Sequence, residues 1–108
     1  FIFVRSERKM IKIDFVDITY IESYSDYLKI HTDSTSANNS SSTIITRETI
    51  SSIEAKLPKT QFLRIHRSYI ISIPAMSSFT SEHITIKNKA LPISRSYKKE
   101  VLNFLEKF

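Results

Sequence analysis

Two periodicities divide the chain: apolar residues mostly alternate with polar ones or fall in short β-branched runs, and recur at helical spacing only near residue 50 and after residue 94. Residues 1–4 are apolar, aromatic and β-branched, 6–9 are polar, and 10–15 alternate Ile11, Ile13 and Phe15 with Met10, Lys12 and Asp14, which predicts a hairpin. A second hairpin follows from β-rich 18–22, a turn over 23–26, and alternating 27–32 with Leu28 and Ile30 on one side. Further strands are expected at 43–47 and across 61–73, where Arg64, His66 and Arg67 interrupt the apolar run. Segments 78–80 and 83–87 flank a turn at Ser81 and Glu82, and 90–93 follows a turn at Asn88 and Lys89, with asparagine where glycine would usually supply positive φ.

Two helices complete the prediction. Ile50, Ile53 and Leu57 fall at i, i+3 and i+7 behind Thr49, whose hydroxyl suits an N-cap, and Pro58 stops the run. Tyr97, Val101, Phe104, Leu105 and Phe108 form one helical stripe behind Ser94 as a second N-cap, with Arg95, Lys98 and Lys99 on another face. Between the strands, residues 33–43 hold one small apolar side chain among eleven, too few to offset the entropy of ordering, so a flexible Ser/Asn-rich loop is expected. The expected fold is mainly β, with many short strands, one short internal helix and one C-terminal helix.

At 108 residues the chain can bury one core, so 1–108 is read as one domain. The absence of glycine removes phosphate loops, dinucleotide fingerprints and the glycine-flanked serine elbow, each of which brings backbone close to a ligand or strand. The absence of cysteine removes disulfides, thiolate metal sites and a cysteine nucleophile, and leaves the cytoplasm as the default location. No apolar run has membrane-spanning length, and an opening Phe1 in place of methionine suggests part of a larger protein. The net charge of +5 is unevenly held: residues 1–54 carry six Lys/Arg against eight Asp/Glu, while 55–108 carry ten against three. That asymmetry suggests a polyanionic partner, nucleic acid or an anionic membrane.

Catalysis finds little support. His31, His66 and His83 lack metal-site spacing, so neither metal nor cofactor is expected, and a hydrolase of His66, Ser68 and Asp26 is uninformative where serine makes up 17 of 108 residues. The basic residues say more. Arg95, Lys98 and Lys99 crowd the first turn of the last helix, where the macrodipole favours acids by about 0.3 to 1 kcal/mol each. Such an end suits a phosphate; the alternative is a solvated basic face partly compensated by Glu100. In the run Arg64-Ile-His-Arg67-Ser-Tyr69, strand alternation puts one arginine in competition with an apolar face, so Arg67 reads as a strand-end or loop residue. Its guanidinium, with Ser68 and Tyr69 beside it, matches guanine or phosphate; the alternative is an internal ion pair to Glu22 or Asp26. Tyr20, Tyr24 and Tyr27 are stacking candidates, although strand tyrosines more often serve packing.

The segments VDITYIES at 16–23, DYLKIHT at 26–32, TRETI at 46–50, FLRIHRSYII at 62–71 and LPISRSYKK at 91–99, in this order and spacing, resemble the LytTR DNA-binding domain across nearly the whole chain. The resemblance implies short antiparallel sheets stacked in an elongated body, usually the C-terminal effector domain of a bacterial response regulator behind an N-terminal receiver or sensor domain. It also implies loops that enter successive major grooves of double-stranded DNA, commonly with dimerisation at paired repeats. By position, it assigns base contact to residues 23–27 with Asp26 and Tyr27, to Arg67 and Ser68, and to Arg95; Tyr97, Lys98 and Lys99 serve phosphate contacts or packing nearby. Three features depart from the family: the long 33–43 segment, Ser72 where asparagine is common, and Asn88-Lys89 in place of a glycine turn. The function expected is sequence-specific DNA binding without catalysis. The rival is a protein-interaction module that uses the basic surface and an exposed sheet edge.

Overall fold

The computed structural model describes residues 1–33 and 41–108. Ten strands run in chain order, β1 (Ile2–Ser6), β2 (Lys9–Ile13), β3 (Ile18–Tyr24), β4 (Tyr27–Asp33), β5 (Ser41–Thr46), β6 (Phe62–His66), β7 (Tyr69–Ser72), β8 (Ser78–Phe79), β9 (His83–Ile86) and β10 (Lys89–Pro92). Helix α1 (Ile50–Glu54) lies between β5 and β6, and α2 (Arg95–Leu105) closes the chain. The strands form three antiparallel sheets, β1-β2, β5-β4-β3-β7-β6 and β10-β9-β8.

The five-stranded sheet separates two cores, because its strands turn alternate residues to opposite faces. On one face Ile21, Leu28, Ile30 and Ile70 meet Ile2, Val4 and Ile13 of the first hairpin and Ile50, Ile53 and Leu57 around α1. On the other, Tyr20, Ile65 and Ile71 meet Ile84, Ile86 and Leu91 of the small sheet and Val101 and Leu105 of α2. Adjacent residues thus serve different cores: Ile21 and Ile70 the first, Tyr20 and Ile71 the second. The stacked-sheet architecture expected from the resemblance is present, with overall dimensions of 39 × 31 × 22 Å.

Without glycine, tight turns fall to residues that carry Cβ. Glu7 and Arg8 at the β1–β2 tip (φ 51° and 67°) and Lys87 and Asn88 at the β9–β10 tip (φ 50° and 67°) adopt the paired left-handed conformation that suits a two-residue hairpin. Each non-glycine residue there carries roughly 1–2 kcal/mol of steric penalty, least for asparagine. Asn88 takes positive φ as expected, but its turn partner is Lys87; Lys89 begins β10, since it pairs with Ile86.

Other boundaries also need correction. Residues 34–40 of the expected loop lie outside the described residues, but Asp33 ends β4 and Ser41, Ser42 and Thr43 open β5, because Asp33, Thr32 and His31 pair with them. Ladder hydrogen bonding outweighs weak side-chain propensity there. The β3–β4 turn narrows to Ser25 and Asp26, with Ser23 and Tyr24 in β3. Thr49 Oγ1 accepts from Ser52 N at 3.1 Å, as an N-cap should. Ser94 occupies the α2 N-cap position without capping; its hydroxyl lies 3.3 Å from that of Ser96. Phe108 falls beyond the helix and is 84% exposed, so the buried stripe rests on Val101 and Leu105 with Tyr97 and Phe104 partly covered.

Candidate nucleic-acid interface

Register brings the expected site residues to one end of the large sheet. Tyr24 pairs with Tyr27 around Ser25-Asp26, His66 pairs with Tyr69 around Arg67-Ser68, and Glu22 of β3 pairs with Tyr69 of β7, so both turns emerge at the same end. Ser23 N donates to Ser68 O at 2.8 Å and joins them directly. Ser94 N donates to Ile65 O at 3.0 Å, which anchors the start of α2 beside the Arg67 turn. Asp26, Arg67, Arg95 and Lys99 are exposed, while Tyr27, Ser68 and Lys98 are half-buried.

The β6–β7 turn has an unusual support. Neither Arg67 nor Ser68 has positive φ, so the turn lacks the paired geometry whose twist matches a hairpin. Side chains secure it instead. Arg64, 11% exposed at its side chain, donates from Nε to His66 O, from one terminal nitrogen to Arg67 O and from the other to Glu54 Oε1, each at 2.7 Å. Its guanidinium also sits 5.5 Å from the centre of the Tyr97 ring, linking the turn to the first turns of α2. His66 Nδ1 accepts from Ser68 N at 3.0 Å, which requires an unprotonated nitrogen. Burial, then the charges of Arg67 and Arg64, hold the His66 pKa below the ordinary imidazole value.

This geometry resolves the competition between the arginines. A register shift between Arg64 and His66 lets Ile65 stay fully buried while Arg64 folds back as a clamp and Arg67 projects from the turn. Among the described residues no carboxylate pairs with Arg67, so the internal ion pair to Glu22 or Asp26 is absent; Glu22 bonds His31 Nε2 at 2.8 Å. Asp26 makes no hydrogen bond to His66, and His66 uses Nδ1 on a backbone amide, so the imagined hydrolase is not assembled. Tyr20 is buried and stacked on His31 with ring centres 4.2 Å apart, which removes it as a base-stacking platform.

The first turn of α2 contains no acid and no side-chain cap; Tyr97 N donates to Ser94 O at 3.1 Å, and Arg95, Lys98 and Lys99 stand on the same turn. Lys98 Nζ donates to Glu82 Oε1 at 2.5 Å, and this bond and charge lower the Glu82 pKa. Two contributors were not singled out in the sequence. The residue pattern groups Arg64 with Arg67 without its clamping role, and gives Arg47 no part beyond its place in the segment TRETI. Thr46 pairs with Leu28, so Arg47 emerges at the same end, where it borders a groove with Ser23, Ser25 and Asp26. Only the β4–β5 register places it there. Among the described residues no three His, Asp or Glu side chains converge as metal ligands, and no helix is long and apolar enough to cross a membrane.

Residues 8–106 match the LytTr DNA-binding domain family. The chain belongs to that family. Among similar LytTr structures is a LytTr DNA-binding domain of a Bacillus cereus response regulator, with a TM-score of 0.76 over 96% of this chain and 94% of that one at 20% identity, a likeness of fold. Sensory transduction protein LytT of Bacillus cereus and that of Bacillus anthracis are each 35% identical over 69 residues, covering 58% of this LytTr chain and 28% of the relative. The alignment therefore spans little more than a quarter of those relatives' length.

Proposed function

We propose that this LytTr domain reads double-stranded DNA with the three turns at one end of its large sheet and acts as the output domain of a sensory transduction regulator. The observation that carries the reading is the gathering of the Asp26, Arg67 and Arg95 segments by the Ser23–Ser68 and Ser94–Ile65 backbone bonds, with both guanidinium groups exposed. Arg67 and Arg95 act as base readers, since a guanidinium fork matches guanine O6 and N7. Lys98, Lys99 and the uncapped amides of α2 hold phosphates. Asp26 accepts from a cytosine amino group, the base-edge donor suited to a carboxylate, with Tyr27 and Ser68 supporting the turns. In a paired-repeat site, two such domains bind side by side, and a receiver or sensor domain elsewhere in the protein governs their pairing.

The protein-interaction reading receives less support, because among the described residues both edges of the large sheet are partly covered. Strand β6 is flanked by α2, and Ser6 and Arg5 of the first hairpin bond Ile45 and Thr46 of β5 at 2.7 Å. Selection from a random duplex pool tests the proposal. An enriched motif is expected, and Arg67→Ala or Arg95→Ala should each lose about 1–3 kcal/mol on it and relax one base position. Recovery of no motif, or undiminished preference in both variants, would overturn it.

A further inference from the structure

The first half of the chain is acidic in sum, yet folding gathers three of its arginines at the reading end. Ser6 Oγ donates to Ile45 O and Thr46 Oγ1 donates to Arg5 O, both at 2.7 Å, pinning the β1–β2 hairpin against β5. Arg5, Arg8 and Arg47 then border one groove with Tyr27, the residue that follows the Asp26 turn. All three are exposed, and none pairs with a carboxylate among the described residues. Glu7 is the single acid on that groove. Arg47 borders this groove on one side and the Asp26 groove on the other, so the surface is continuous with the three turns.

We infer that Arg5, Arg8 and Arg47 form a fourth contact of the same interface, a grip on the phosphodiester backbone of the duplex; the inference rests on the DNA-reading proposal above. Width decides what this end of the row meets. From β5 to β6 are four strand steps, about 19 Å at roughly 4.8 Å each. A major groove is only about 12 Å wide. A row longer than one groove is wide crosses a phosphate strand, and the exposed arginines at its β5 end are the cations placed to meet it. Arginine suits that position through its fixed charge and forked donors.

Arg8 supplies a test that separates binding from folding. Its φ of 67° is a conformation glycine adopts more readily, so Arg8→Gly removes the charge while easing the turn. The triple variant Arg5→Gln, Arg8→Gly, Arg47→Gln is titrated with the selected duplex across a salt series, beside the wild-type domain. The expected result is an unlowered Tm, an affinity at least about tenfold weaker, a salt slope shallower by about 0.9 for each lost contact, and an unchanged selected motif. Unchanged affinity and slope, with wild type binding normally, would overturn the fourth contact and leave the three-turn reading standing. An altered motif with an unaltered slope would also overturn it, because the arginines would then touch bases. Absence of any selected duplex for wild type would overturn the function proposal and this inference together.

Discussion

Replacing Arg64 with alanine should uncouple the Arg67 turn from its support, and the structure sets the size of the effect. Three bonds at 2.7 Å are lost, two of them to main-chain carbonyls of the turn. A hydrogen bond to a charged group contributes about 1.5–3 kcal/mol when buried. The turn is near solvent and Glu54 is 44% exposed, so water replaces part of this and the carboxylate contact adds little. Loss of the contact with Tyr97 adds about 0.5–1 kcal/mol. A total near 3 kcal/mol follows, or a Tm decrease of roughly 12 °C for a domain of this length. Thermal unfolding followed by circular dichroism measures it. Binding measured well below either Tm should show a second effect, a loss of discrimination of about tenfold at the base position read by Arg67, with weaker loss on random duplex. Arg64→Lys keeps the charge near Glu54 but not the fork, so it should recover only a minor part of the Tm and little of the discrimination. A Tm within about 2 °C of wild type for the alanine variant, with base preference intact, would refute the clamp.

Other consequences are independent of that clamp. Glu82→Gln should release Lys98 for phosphate and strengthen binding to cognate and random duplex alike, while Lys98→Ala should make the salt slope shallower by about 0.9; opposite or absent changes would count against a phosphate role. His66 should titrate below the ordinary 6.5 in a histidine NMR experiment, and Arg67→Ala should move it upward by removing one of the charges that depress it. Because the folded-state value is depressed, the associated stability is present above about 6.5 and is lost as pH falls through the folded-state value. Thr49→Ala should destabilise by about 1 kcal/mol through loss of the α1 cap without altering DNA preference.

The alternation of Leu28 and Ile30 and the helical spacing of Val101 and Leu105 were readable because burial imposes those periods. The ladder partners of Ser41, Ser42 and Thr43 were not readable, since polar side chains carry no burial signal and a strand edge can recruit them by main-chain bonding. Arg67 could be assigned to a turn from its conflict with the apolar face of Ile65. The role of Arg64 could not, because both of its carbonyl acceptors depend on the turn's final backbone path. Arg95 was visible as a cation at the wrong end of a helix. Arg5, Arg8 and Arg47 were hidden by the acidic balance of the first half, which averages over residues that folding separates.

The most direct test is an amide NMR titration of the domain with its selected duplex. Residues 25–27, 67–68 and 94–99 should shift together and saturate at one stoichiometry, with Arg47 among them. Perturbations confined to the opposite end of the large sheet, or shifts at Arg67 and Arg95 that saturate at different duplex concentrations, would contradict a single reading surface.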